Sequence, residues 1–174
     1  MEKTMKSFLE VVKPVVEAKD PGVYMCAKFD QSSNDEIKKL QKKLGVANPV
    51  VSDKLHSTIV YSRKTVDLFP SEDLNEYARL VGLEVWNTKY GNSVIGILHS
   101  DYLTSRFSEV MSMGATYDYE DYKPHVTLAY DAGDVVADDL LSRAQLPIDL
   151  RIISEHAESL DLDKDVADIT GTEE

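Results

Sequence analysis

One hexapeptide pattern occurs twice in this chain. Residues 56–61 read His56-Ser57-Thr58-Ile59-Val60-Tyr61, and residues 125–130 read His125-Val126-Thr127-Leu128-Ala129-Tyr130. Each copy is His-x-Thr, then two aliphatic or small residues, then Tyr. Alternate side chains of a β-strand share a face, so each copy sets an imidazole beside a hydroxyl on a rigid element. The fold expected is one that brings two such strands, distant in sequence, to opposite walls of one cleft. A lone His-x-Thr is a weak signal, because a histidine in a strand is usually structural. Two copies matched over six positions point instead to function. His99 and His156 lack the threonine two residues on and read as structural.

Composition narrows the ligand. The chain has 174 residues, enough for one domain or two small fused lobes with a proper core. Its 31 acidic and 19 basic residues give a net charge of −12. A field of that sign repels long nucleic acid, whose binding rests on Lys and Arg neutralising phosphates. A small phosphate-bearing ligand is still compatible, because a local pocket of donors outweighs a distant field screened by salt. No apolar run approaches the roughly 20 residues of a membrane helix. The first 20 residues carry acids throughout and lack a long apolar centre, so they do not read as a signal peptide. The expected partner is a small substrate, without long nucleic acid or membrane, and the expected setting is cytoplasmic. Cys26 is the single cysteine, which excludes an internal disulfide and a cysteine-based zinc cluster; it reads as inert core.

Along the chain, Met5, Phe8, Val12, Val15 and Val16 fall near helical spacing, interrupted by Pro14. Residues 23–29 read as a strand. Ser32-Ser33-Asn34-Asp35 signals a helix start and Gly45 its stop. The first motif strand covers about 54–61. Ser71-Glu72-Asp73 reads as the cap of a short helix through Leu80, closed by Gly82. Residues 83–90 and 93–99 read as strands joined at Gly91-Asn92. A helix is expected over 101–113, ending at Gly114. The acidic, tyrosine-rich stretch 117–122 reads as a solvated loop before Lys123-Pro124 and the second motif strand. A short helix over 135–144 and two strands, 148–153 and 156–162, complete the chain. The class is α+β, with two pseudo-symmetric lobes of antiparallel sheet and flanking helices around a central cleft. Residues 1–162 form that single bilobal domain, and 163–174 an acidic, solvated tail.

Two imidazoles around one phosphorus form a working acid–base pair. One, neutral, takes a proton from the attacking oxygen, and the other, protonated, gives one to the departing oxygen. Histidine serves both roles because its ordinary pKa of about 6.5 keeps both forms accessible near neutrality. Threonine hydroxyls donate to the non-bridging oxygens as charge builds in the transition state. This chemistry needs no metal or other cofactor, and the sequence has no evident carboxylate–histidine cluster at ligand spacing.

Paired His-x-Thr motifs, the second preceded by proline in Pro124-His125-Val126-Thr127, resemble those of the 2H phosphoesterase superfamily. The resemblance spans roughly residues 23–162, although only the two tetrads are specific. It implies two pseudo-symmetric lobes, His56 and His125 as acid and base, and Thr58 and Thr127 as phosphate ligands. Tyr24 on the first strand and Trp86 between the motifs make the chain most similar to the bacteriophage anti-CBASS branch. That likeness implies cleavage of cyclic di- and trinucleotide alarm signals in the host cytoplasm, with Tyr24, Trp86 and Glu155 as substrate-binding residues. Trp86 is the first candidate for stacking on a base; Glu155 would read a base edge through its acceptor oxygens. Two alternatives are opening of 2′,3′-cyclic phosphates on RNA ends and a sponge that binds cyclic nucleotides without turnover.

Overall fold

The computed structural model describes residues 20–160; the expected N-terminal helix and the acidic tail lie outside them. Strand β1 (Val23–Phe29) is buried at every position except the half-exposed Lys28. Helix α1 (Gln31–Leu44) follows at once. Its cap is Asp30, whose carboxylate accepts the Ser33 N–H at 2.8 Å, so the helix starts before the expected Ser32–Asp35 signal. Ile37, Leu40 and Leu44 bury one face, and Gly45 ends the helix in the left-handed conformation (φ 65°) that glycine adopts without penalty. After a 3₁₀ turn (Ser52–Lys54), β2 covers Ser57–Ser62, leaving His56 just ahead of the strand. Strands β3 (Glu76–Thr88) and β4 (Gly91–His99) form a hairpin. Helix α2 (Asp101–Ser112), capped by the Ser100 hydroxyl, leads through a loop to β5 (His125–Ala129). Helix α3 (Ala137–Arg143) and β6 (Ile148–Ser159) finish the described chain.

All strand pairings are antiparallel and make one six-stranded sheet in the order β2-β1-β6-β3-β4-β5. The two lobes are halves of that sheet. Each repeats a strand, a helix and an edge strand: β1-α1-β2 in one, β4-α2-β5 in the other. The long β6 joins them, pairing through residues 148–152 with β3 and through 152–159 with β1. Both motif strands are therefore edge strands. The α+β class and the two pseudo-symmetric lobes are those expected.

Three local expectations are corrected. Residues 76–80 are strand, not helix: Ala78 and Leu80 are buried while Tyr77 and Arg79 are exposed, a period of two. Gly82 ends no helix but lies where the β3/β4 register shifts. The hairpin turns at Lys89-Tyr90, and Gly91, at φ 100°, is the first residue of β4. The two final strands are one, because residues 154 and 155 stay in register with Lys28 and Ala27.

Glu155 is also not where the sequence reading put it. Its side chain is fully buried and absent from the cavity wall described below. Its oxygens accept Arg106 Nε at 2.9 Å, Arg106 Nη2 at 3.1 Å, the Ser71 N–H at 2.8 Å and the Tyr102 hydroxyl. Burial pushes its pKa up, but the Arg106, Tyr102 and Ser71 bonds outweigh that and hold it below the ordinary range. Arg106 also donates to the Phe69 carbonyl, so the cluster ties the segment between β2 and β3 to α2 and β6. Every acceptor direction of Glu155 is used internally, which leaves none to read a base. Replacing Glu155 with Ala strands a mostly buried guanidinium and should lower the unfolding free energy by about 3–5 kcal/mol, measurable by urea denaturation.

Candidate active site

The two motif strands share a distortion that the sequence pattern hides. In β2, Thr58 pairs with Cys26 and Val60 with Met25, so Ile59 is an extra residue. In β5, Thr127 pairs with Ile95 and Ala129 with Val94, so Leu128 is extra. Both copies thus bulge immediately after the threonine. Strict alternation would put residues 60 and 129 on the same face as the histidine and threonine. The bulge turns Val60 and Ala129 into the core instead, where both are fully buried, and keeps them out of the cleft.

The histidines are oriented alike. His56 Nδ1 lies 2.7 Å from the Lys54 carbonyl oxygen, and His125 Nδ1 lies 2.8 Å from that of Lys123. A carbonyl only accepts, so each Nδ1 carries hydrogen and each Nε2 is left for proton transfer. The acceptors are backbone carbonyls, so chain geometry rather than residue type sets this anchorage, although a lysine stands two residues before each histidine (Lys54, Lys123).

The surroundings of the two rings differ. His56 is 7% exposed, and its ring meets the Tyr24 ring edge-on at 6.4 Å. Burial pushes its pKa down to about 4; the Lys54 bond opposes this, while the charges of Lys28 and His125 add to it. His125 is half-buried and packs against Trp86 with ring centroids 4.6 Å apart. Burial lowers its pKa too, with the Lys123 carbonyl opposing, the Lys123 charge assisting and Glu84 favouring the protonated form. Glu84 fixes the indole: it accepts Trp86 Nε1 at 2.8 Å and Lys123 Nζ at 2.6 Å. Those two bonds, Lys123 first, hold its carboxyl below the ordinary range.

A cavity of about 580 Å³ opens at this place, within the size that takes a drug-sized ligand. Thr58, Thr127, His125, Tyr24 and Trp86 line it. His56 lies behind, against the Tyr24 ring, and is not itself a wall residue. The Tyr24 hydroxyl is 3.4 Å from Thr58 Oγ1. Five of the seven residues expected at the site thus share one cavity, His56 adjoins it, and Glu155 does not. His99 and His156 lie outside its wall.

The stretch read as a solvated loop proves to be cavity wall. Tyr117, Tyr119, Asp121 and Tyr122 all line it. Tyr122 donates its hydroxyl to the Thr58 carbonyl at 2.9 Å, bridging to the other motif strand. Local acidity concealed this, because Asp118 is spent on a two-point bond to Arg63 at 3.0 and 2.8 Å. Among the described residues, no group of three or more His, Cys, Asp or Glu is placed to hold a metal ion.

Comparison with known proteins adds lineage to this geometry. Residues 21–167 match the family model described as Anti-CBASS protein Acb1. A protein of that name from Escherichia phage RB16 is 61% identical over 166 residues, covering 95% of this chain and 94% of its own. Its namesake from Enterobacteria phage T4 is 40% identical over 151 residues, covering 86% and 96%. Among solved structures, Escherichia coli LigT complexed with 3′-AMP matches with a TM-score of 0.53 at 13% identity, over 81% of this chain and 88% of that one. At that identity the likeness is one of fold.

The buried histidines predict acid sensitivity. A histidine whose pKa is lower folded than unfolded contributes stability above its unfolded value of about 6.5, and loses it as pH falls through the folded value. For His56 the window runs from about 6.5 down to about 4. His56→Gln should therefore flatten the decline in melting temperature between pH 7 and 4, measured by scanning calorimetry. An unchanged decline would contradict the burial of a neutral ring.

Proposed function

The chain belongs to the anti-CBASS protein Acb1 family, and we propose that it is a phosphodiesterase whose substrates are cyclic di- and trinucleotides, whose 3′,5′ bonds it cleaves by two-histidine acid–base catalysis. The observation that carries this reading is the matched presentation of the two imidazoles. Each is locked through Nδ1 to a carbonyl two residues back, and each has a threonine two residues on that lines one shared cavity, which His125 also lines and which His56 adjoins behind Tyr24. The relatives' name supports a role against bacterial cyclic-nucleotide defence signalling, and with it a substrate met in the host cell.

In this mechanism a 3′,5′-linked ribonucleotide lies with one phosphate between Thr58 and Thr127, whose hydroxyls donate to its non-bridging oxygens. We assign His56 as the base, because burial and the nearby Lys28 charge keep it unprotonated. His56 Nε2 removes the 2′-hydroxyl proton, and the oxyanion attacks phosphorus in line. We assign His125 as the acid, because Glu84 and the arriving phosphate charge favour its protonated form. His125 Nε2 gives its proton to the departing 5′-oxygen, and the ring opens with a 2′,3′-cyclic phosphate at the cut end. Reversal of the two roles lets water hydrolyse that phosphate. Trp86, held by Glu84, supplies a face on which the adjoining base stacks, an interaction worth about 1–3 kcal/mol per base. Tyr24 backs His56 and meets Thr58.

Incubation with cyclic dinucleotides and with 2′,3′-cyclic-phosphate-ended RNA, in EDTA, separates the readings by product mass. Linear product from the ring is expected. Opening of RNA ends alone would transfer the activity to that substrate, and recovery of intact ring after denaturation would indicate a sponge. His56→Ala and His125→Ala should each remove turnover by about 100-fold or more while leaving the circular dichroism spectrum unchanged. The acidic limb of the kcat/KM–pH profile should lie well below pH 6.5, toward the His56 value of about 4.

A further inference from the structure

The aromatic rings of the cavity wall form a connected series. Phe107 stacks flat on Tyr122 at 4.2 Å, Tyr117 meets both edge-on at 4.9 and 6.2 Å, and Tyr119 meets Tyr117 at 5.7 Å. The series runs from Phe107 on α2 to Tyr119 on the cavity wall. Tyr119 is 59% exposed, whereas the other aromatic wall residues are buried or half-buried. The loop that carries it is nonetheless fastened. Arg63 grips Asp118 at two points, Arg63 N–H donates to Thr116 Oγ1 at 2.8 Å, and Thr116 N–H donates to Ser62 Oγ at 3.0 Å. An amphipathic ring carried on a fastened backbone at a cavity wall leaves less backbone freedom to lose on binding.

The charge around that ring restricts what it can meet. Glu120 and Asp121 follow it in the chain, and Asp121 is itself a wall residue, so a phosphate there would face like charge. A nucleobase is neutral and has a flat apolar face. One base of a cyclic dinucleotide is already placed on Trp86, beside His125, and the ring constrains the second to lie elsewhere along the same cavity. On the reading that cyclic oligonucleotides are the substrates, we infer that Tyr119 is the platform for the second base. It is a specificity residue, selecting ligands with two bases over those with one.

The test is direct binding of 3′,3′-cyclic di-AMP by calorimetry, in a His125→Ala background so that the ligand is not consumed. Adding Tyr119→Ala should weaken the Kd about tenfold, in line with the loss of one stacked base at about 1–3 kcal/mol. Tyr119→Phe, which keeps the ring, should restore the Kd to within about twofold. Adenosine 2′,3′-cyclic phosphate, with one base, should lose less than about threefold. A Kd unmoved by Tyr119→Ala, equal losses for the two ligands, or failure of Phe to rescue would each overturn the inference. Wild-type turnover separates this outcome from the underlying reading. If the ring binds through Tyr119 but is never cut, the platform stands and hydrolysis falls. If the ring is cut and Tyr119→Ala changes nothing, the platform falls alone.

Discussion

Everything at the site depends on the two edges of one sheet being tied to each other. A six-stranded antiparallel sheet left open would expose two edge strands, a liability for aggregation, and would hold its two His-x-Thr motifs at opposite ends. Here β2 and β5 approach each other, and each is bound by elements of the other lobe. The stretch after α1 lies along the outer edge of β5: Val50 N–H donates to the Leu128 carbonyl at 2.9 Å, and Tyr130 N–H to that of Asn48 at 3.2 Å. The buried Gln41 amide donates to both the Leu128 and Val50 carbonyls, at 2.8 and 2.9 Å. From the other side, the Tyr122 hydroxyl reaches the Thr58 carbonyl. The bulge that turns Ala129 into the core therefore also exposes a carbonyl, at Leu128, which the opposite lobe satisfies.

That closure explains how an acidic protein can treat a phosphate. The chain carries a net charge of −12, yet the two imidazoles sit where protein, not bulk solvent, sets the field. Three carboxylates around the site are engaged, Asp118 by Arg63, Glu84 by Lys123 and Trp86, and Glu155 by Arg106 and Tyr102, which leaves Asp121 on the tyrosine-rich wall. The rings are nearly symmetric in backbone anchorage and unlike in surroundings. His56 is deeper and near the Lys28 charge, and His125 is near the Glu84 carboxylate. An acid and a base can thus be drawn from a repeated motif without changing the motif.

Much of this was legible in the sequence. The repeated hexapeptide carried residues that line or adjoin the cavity, and hydrophobic spacing with Gly45 carried α1. The bulges were not legible, because Ile59 and Leu128 read as ordinary members of an alternating strand and only the register with β1 and β4 shows them to be extra. Residues 76–80 were misread because Leu74, Tyr77 and Leu80 recur every three residues behind a Ser-Glu-Asp cap signal. Burial of Ala78 and Leu80 by neighbouring strands overrode that local pattern. Glu155 was misassigned because its partner Arg106 is far away in sequence, and no local feature of an acid in a strand distinguishes an internal ion pair from a ligand contact. The tyrosine loop was taken for solvent because its acids stand beside its rings, while the Arg63 that neutralises Asp118 lies on another element.

The central claim is that His56 and His125 act as one unit on a single phosphorus. The most direct measurement is the initial rate of ring opening of a cyclic dinucleotide by the wild type, by His56→Ala, by His125→Ala and by the double variant. Residues that share one transition state are non-additive, so the double variant should be no slower than the slower single variant to within about threefold. Losses that multiply, or a single variant retaining near-normal rate, would mean that the two imidazoles do not serve the same bond, and would contradict the account.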